Sequence, residues 1–195
     1  IGMGARMRDL GAPIRRLFGR TMPSNRVVLD VRYRALGGGA GEGIGIHRGA
    51  LFEALLDAAR GAGAELVGGR EIVATRDGRV TFADGSQSPR FDLVIDALGV
   101  RSPLSRDTPL PPLQFGALWC NVDWPSGASA TPFDWNALEQ RYRAARKMVG
   151  VLPVGSMQRG APRQAAFFWS LRHADLDAWR TASLDAWKDE ALRLW

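Results

Sequence analysis

Apolar residues recur every three or four positions in several stretches of the chain, which is the spacing of a helix that buries one face. Two such stretches are residues 1–19, with a break at Gly11-Ala12-Pro13, and residues 48–62. The pattern returns after residue 176, where Ser183 is a candidate cap between two short helices. A further helix is predicted over residues 134–146, because Asp134 suits an N-cap position.

Other stretches alternate between apolar and polar residues, which is the period of a half-buried strand. Alternation is clearest over residues 27–33, and strands are also predicted over 65–68, 71–75, 79–83, 113–122, 148–154 and 164–171. Asp77-Gly78 and Asp84-Gly85 separate short strands and are strong hairpin signals. The glycine-rich residues 37–43 have no G-x-G-x-x-G spacing, so we interpret them as a linker.

The apolar run before residue 96 differs from these strands because it does not alternate. Leu93-Val94-Ile95 is continuous, which is typical of a strand covered on both faces in an α/β sheet. Asp96 and a turn containing Gly99 follow it. Open α/β sheets bind ligands at the carboxyl ends of their strands, so we predict a central strand here and a ligand site at its end.

The helix predicted over residues 48–62 begins with an arginine. A helix N-terminus offers unpaired N–H groups and a positive dipole, and the Arg48 guanidinium adds a planar bidentate donor. This combination suits a pyrophosphate. The alternative is that Arg48 pairs with a local carboxylate.

Composition narrows the class of protein. The chain has 195 residues, 46% of them hydrophobic, and a net charge of +6. All but two of the 26 basic residues are arginine, the exceptions being Lys147 and Lys188. A solvated arginine-rich face is expected rather than nucleic-acid binding, since no recognisable nucleic-acid module is present. No stretch suits a membrane span or signal peptide, which favours the cytoplasm.

The single cysteine and the two histidines give no sequence signal for a disulfide or a metal site. Cys120 has no partner for an intramolecular disulfide, and its apolar neighbours predict a small buried residue. His47 and His173 are isolated from other ligating residues, so no metal site is predicted.

Two segments carry a resemblance to a known family. Residues 94–103, Val-Ile-Asp-Ala-Leu-Gly-Val-Arg-Ser-Pro, resemble the second FAD motif of the p-hydroxybenzoate hydroxylase-like flavoproteins. Residues 45–56 resemble the Arg-x-x-Leu-x-x-x-Leu helix of the same family. The commoner turn, Gly-Ala-Asp-Gly, here reads Asp-Ala-Leu-Gly, as in relatives that include flavin halogenases and prenyl reductases.

The resemblance implies an α/β fold in two parts. Residues 1–108 would be a partial FAD-binding, Rossmann-like domain with a β-meander, lacking the G-x-G-x-x-G strand that we expect upstream. Residues 109–195 would be a partial substrate domain with an antiparallel sheet and helices, and the proline-rich residues 109–112 would form the boundary. A further Gly-Asp flavin segment is expected downstream of the chain.

The resemblance also assigns candidate site residues. Arg48, Ile72, Asp96 and Gly99 would contact FAD, although Asp96 could instead cap local N–H groups at the end of the strand. Trp119 and Trp169 are candidates for the substrate pocket, with burial in the core as the alternative.

The implied function is an FAD-dependent monooxygenase that uses NAD(P)H and oxygen to hydroxylate a small organic substrate. The flavin performs the chemistry in such enzymes, so no acid or base residue is assigned. This stretch alone is expected to bind FAD poorly and to be inactive. The alternatives are another flavin enzyme, of halogenase or reductase type, and a basic interaction module without a cofactor.

Overall fold

The computed structural model describes residues 2–37, 41–105, 113–125, 132–144 and 146–195. The chain forms two compact units, residues 1–62 together with 113–195, and residues 63–112. Its mixed α/β class agrees with the prediction from sequence. The division into flavin and substrate domains at residue 108 stays a prediction, and the proline-rich connector lies outside the described residues.

The helices and strands follow one another in this order: α1 (Gly4–Leu10), β1 (Ala12–Ile14), β2 (Arg16–Thr21), β3 (Val27–Arg32), β4 (Gly43–Gly45), α2 (Arg48–Gly61), β5 (Ile72–Arg76), β6 (Arg79–Phe82), β7 (Phe115–Asp123), β8 (Ala137–Arg143), β9 (Lys147–Gly155), β10 (Gln164–Arg172), α3 (Leu176–Thr181) and α4 (Leu184–Leu194). Short 3-10 turns cover Tyr33–Leu36, Pro103–Ser105 and His173–Asp175.

A six-stranded mixed sheet dominates the larger unit. Its strand order is β3-β2-β8-β9-β10-β7, with β2 parallel to β8 and all other neighbours antiparallel. One face packs against α3 and α4 through a core of Val149, Trp169, Leu171 and Leu194. Because side chains alternate along a strand, the neighbours of these core residues point to the opposite face. That opposite face carries the candidate site.

The predicted helix over residues 1–19 is wrong beyond Leu10. The chain leaves α1 at Gly11 and continues as β1 and β2. Pro13 has no N–H for a helical hydrogen bond, which accounts for the break. In β2, Arg16 and Arg20 lie over the ring of Phe18 at 4.0 and 4.9 Å from its centroid, a contact that alternating strand positions make possible.

The predicted helix over residues 134–146 is also wrong, because this stretch contains strand β8. Asp134 does cap a backbone N–H, but it does so in a turn, where its Oδ1 accepts the N–H of Asn136 at 2.8 Å. The following residues alternate, with Leu138 and Gln140 on one face and Glu139 on the other, and they pair in parallel with β2. Tertiary pairing therefore overrides a cap-like start.

The central strand predicted over residues 91–96 is not formed. The run has no strand partner within the described part of the smaller unit, and Leu93 and Ile95 are 74% and 77% exposed. An apolar strand is stable when neighbouring strands satisfy its backbone and cover its faces, and neither condition holds here. Residues 65–68, predicted as a strand, are likewise unpaired.

Several local predictions are confirmed. The strand over 27–33 is β3, and the helix over 48–62 is α2. Asp77 and Gly78 have φ of 51° and 73°, as a type I′ hairpin requires. The Ser183 hydroxyl caps α4 by accepting the N–H of Ala186. Of the glycine-rich linker, residues 38–40 lie outside the described part of the chain.

Candidate functional site

An open apolar cleft of about 590 Å³ lies on the sheet face opposite α3 and α4. This volume is within the range typical of small-molecule sites. Its floor is formed by residues of β7, β8, β9 and β10, and one wall by the residues that lead into α2. The lining residues are Ile46, His47, Arg48, Ala117, Trp119, Cys120, Asn121, Leu138, Leu152, Val154, Ala166 and Phe168.

The start of α2 is held against the sheet by close backbone contacts. A Cβ on Gly45 would lie 2.1 Å from the carbonyl oxygen of Pro153, so a glycine is needed for this approach. The His47 N–H donates to the carbonyl of Val154 at 2.7 Å. The first turn of the helix is therefore fixed at the edge of the cleft.

Arg48 is the first residue of α2, as the sequence predicts. Its side chain is exposed and lines the cleft. The alternative of a local carboxylate partner finds no support, since in the described ranges Arg48 makes no ion pair or hydrogen bond. A free guanidinium beside a helix N-terminus can bind an anionic group of a ligand. A role in cofactor binding stays a prediction.

The two tryptophans predicted as pocket residues lie on opposite faces of the sheet. Trp119, on β7, is 69% exposed and lines the cleft. Trp169, on β10, is 3% exposed and packs in the core, where its ring makes an edge contact with Trp187 at 5.7 Å. The core alternative therefore describes Trp169, while Trp119 is in a position to contact a ligand.

Two cleft residues were not foreseen in these positions. Cys120, expected to be buried, is exposed because β7 is an edge strand of the sheet. The sequence gives no signal for Asn121, whose Nδ2 lies 2.5 Å from Nε2 of His47. These residues are 74 positions apart, so no local sequence signal could bring them together.

Asp96 lies in the smaller unit at the centre of a hydrogen-bonded turn. Its Oδ2 accepts the hydroxyls of Ser102 at 2.6 Å and Ser105 at 3.2 Å, and its Oδ1 accepts the N–H of Leu98 at 3.0 Å. These donors, Ser102 first, lower the pKa of the Asp96 carboxyl. The arrangement is the local capping that was the alternative for Asp96.

The other predicted cofactor residues in this unit lie near that turn. Gly99 has φ of 83°, a conformation that favours glycine, and its carbonyl accepts the N–H of Ser102. Ile72 begins β5, and β5 lies beside the Pro103–Ser105 turn. Arg48 belongs to the larger unit, so the expectation that Arg48 and Asp96 contact the same cofactor stays a prediction.

The described residues hold neither a membrane-length helix nor a metal-like cluster. None of their helices combines the length and apolar character needed to cross a bilayer. No group of three or more histidine, cysteine, aspartate or glutamate residues among them could hold a metal ion.

Comparison with solved structures relates this arrangement to oxygenases. The chain is similar to 2-methyl-3-hydroxypyridine-5-carboxylic acid oxygenase, with a TM-score of 0.72 and 17% identity over 99% of this chain and 50% of the other. The chain has the fold of that oxygenase over the matched half. The chain is also similar to PqsL from Pseudomonas aeruginosa, described as a probable FAD-dependent monooxygenase. The TM-score is 0.62 and the identity 14%, over 91% of this chain and 48% of PqsL.

A third similar structure is HpxO of Klebsiella pneumoniae, solved with FAD and uric acid. It gives a TM-score of 0.61 and 22% identity over 87% of this chain and 42% of the other. The chain thus spans about half the length of these solved chains. No protein-family model and no curated protein matches the sequence. The fold shared with these solved structures agrees with the fold that the sequence resemblance in residues 45–56 and 94–103 implies.

Proposed function

We propose that this chain is part of an FAD-dependent monooxygenase that acts on a small organic molecule with NAD(P)H and oxygen. The observation that carries the proposal is the apolar cleft with the unpaired Arg48 at its edge, on a fold similar to FAD-dependent monooxygenases. Bound FAD would supply the redox chemistry, taking electrons from NAD(P)H and activating oxygen.

The chemical character of the cleft residues suits a flavin cofactor. Arg48 and the start of α2 offer positive charge to a pyrophosphate, and the cleft offers an apolar surface to a ring system. Among the residues that the structure describes, no carboxylate lines the cleft, so none of them opposes a phosphate there. In the smaller unit, Ile72, Asp96 and Gly99 are the proposed further contacts.

The residues of this chain would bind and orient the substrate and would exclude water from it. The floor residues Leu138, Leu152 and Phe168 present apolar surface to a substrate. Trp119 adds a large exposed ring that can stack against a flat molecule. Such a lining suits an organic molecule with a mainly apolar body.

A flavin titration of the full-length protein tests the proposal. We expect purified protein to bind FAD and to consume oxygen when NAD(P)H is added. The Arg48→Ala variant should weaken FAD binding roughly tenfold or more, since a hydrogen bond to a charged group contributes about 1.5–3 kcal/mol.

Arg60→Ala is the matched control, because Arg60 is an exposed arginine in the last turn of the same helix. Its FAD affinity should stay within about twofold of wild type, as a surface change away from the site is expected to do. If the full-length protein bound no flavin, the proposed function would be wrong. Equal losses in the two variants would remove Arg48 from the cofactor site.

The alternatives find less support in the structure. A halogenase of this family would need a lysine facing the substrate, but Lys147 pairs with Glu190 and Lys188 with Asp185. Neither lysine lines the cleft. A basic interaction module would present a face of unpaired cations, but two arginines near the start of the chain are in ion pairs, Arg6 with Asp57 and Arg16 with Asp30.

A further inference from the structure

The polar end of the cleft is set by a chain of two hydrogen bonds. The N–H of Gly49 donates to Nδ1 of His47 at 3.1 Å, so Nδ1 is an acceptor and carries no proton. The neutral ring must then carry its proton on Nε2. That Nε2–H lies against the side-chain amide of Asn121 and needs an acceptor there.

The amide of Asn121 is therefore oriented by His47. The amide is placed with Nδ2 facing Nε2, but two N–H groups cannot face each other at hydrogen-bonding distance. We therefore assign the flipped amide orientation, in which the carbonyl oxygen accepts the Nε2–H. The amide nitrogen is then directed away from His47, with two N–H donors free for another partner. No other described residue hydrogen-bonds to the Asn121 side chain, and Asn121 lines the cleft.

We infer that Asn121 selects ligands that carry a hydrogen-bond acceptor, with His47 as the positioning residue that presents its N–H groups. The ligand class is a compact organic molecule with an apolar body and a carbonyl or equivalent acceptor. The apolar body would contact Leu138, Leu152 and Phe168, which offer no hydrogen bond. This inference rests on the proposed function, because it treats the cleft as a small-molecule site.

Two probes of nearly the same shape test the inference in the full-length protein. Acetophenone carries a carbonyl acceptor, and α-methylstyrene replaces that oxygen with a CH₂ group. Ligand-observed NMR should show that the wild-type protein binds acetophenone roughly three- to tenfold more tightly, which is the fold-change expected of one net hydrogen bond. Failure of both probes to bind saturably would overturn the inference.

Variants of Asn121 and His47 test two separate points, whether the Asn121 amide is needed and whether His47 must orient it. Asn121→Leu should abolish the preference for acetophenone, and Asn121→Asp should reverse it, since a carboxylate repels an acceptor. His47→Asn keeps an acceptor at the helix N-cap but is too short for the Nε2 contact, so the preference should fall while α2 remains capped.

The outcome is distinguishable from failure of the proposed function. FAD titration of the wild-type protein tests the proposed function separately, because the probe preference is measured without added flavin. An unchanged acetophenone preference in Asn121→Leu would overturn the inference even in a protein that binds flavin normally. An unchanged preference in His47→Asn would remove His47 as the positioning residue.

Discussion

Trp119 and Trp169 provide a sharp test of which sheet face is core and which is site. Their exposed fractions are 69% and 3%, so Trp169 buries about three times as much of its side chain as Trp119. Trp169 also lies 5.7 Å from the ring of Trp187 and 5.3 Å from the Lys147 ammonium. We expect Trp169→Ala to lower the free energy of unfolding by roughly 3–5 kcal/mol.

The matched change Trp119→Ala should cost only about 1 kcal/mol, in proportion to its smaller buried area. Urea denaturation of the flavin-free full-length protein, followed by circular dichroism, gives both values from the midpoint and slope. Trp119→Ala should weaken binding of an aromatic probe, whereas the main effect of Trp169→Ala should be a lower free energy of unfolding. Equal losses of stability, or a larger loss for Trp119→Ala, would refute the assignment of the two faces.

Two further predictions concern Asp96 and Gly155. The pKa of Asp96 is lowered in the folded state, so its contribution to stability is present above about pH 4 and is lost as pH falls through the folded-state pKa. In an NMR titration, Ser102→Ala should raise the pKa of Asp96. An unchanged pKa would exclude Ser102 as the main cause of the shift. Gly155 has φ of 75°, and an added Cβ would lie 1.8 Å from the Leu10 carbonyl oxygen. Gly155→Ala should therefore lower the free energy of unfolding by roughly 2–4 kcal/mol, measured by thermal unfolding. Gly116 has open space around it, so the control Gly116→Ala should be near neutral. Similar effects of the two alanines would contradict the close approach at Gly155.

The sequence predicts elements well where local chemistry determines them. Helix α2 is predicted because its apolar face, its length and Arg48 at its start agree. The Asp77-Gly78 turn is predicted because few other residue pairs adopt positive φ at both positions. In these cases the determining interactions lie within a few residues of one another.

Prediction fails where a partner distant in sequence decides the outcome. Strand β8 follows a helix-like cap at Asp134, but its backbone pairs with β2, more than a hundred residues earlier. The run around Leu93 and Ile95 has the composition of a buried strand, yet no described strand pairs with it. Composition thus indicates what a segment could become, and pairing decides whether it does.

The candidate site shows the same division between local and distant information. Arg48 could be proposed from its position at a helix start, whereas the contact of His47 with Asn121 exists only because β7 lies beside that start. Alternation along β7 and β10 places Trp119 and Trp169 on opposite faces but does not say which face α4 will cover. Packing of Leu194 and Trp187 against one face makes it the core and leaves the other open to a ligand. The site is therefore a consequence of where α4 packs, and exchanging the roles of the two tryptophans would require moving that helix.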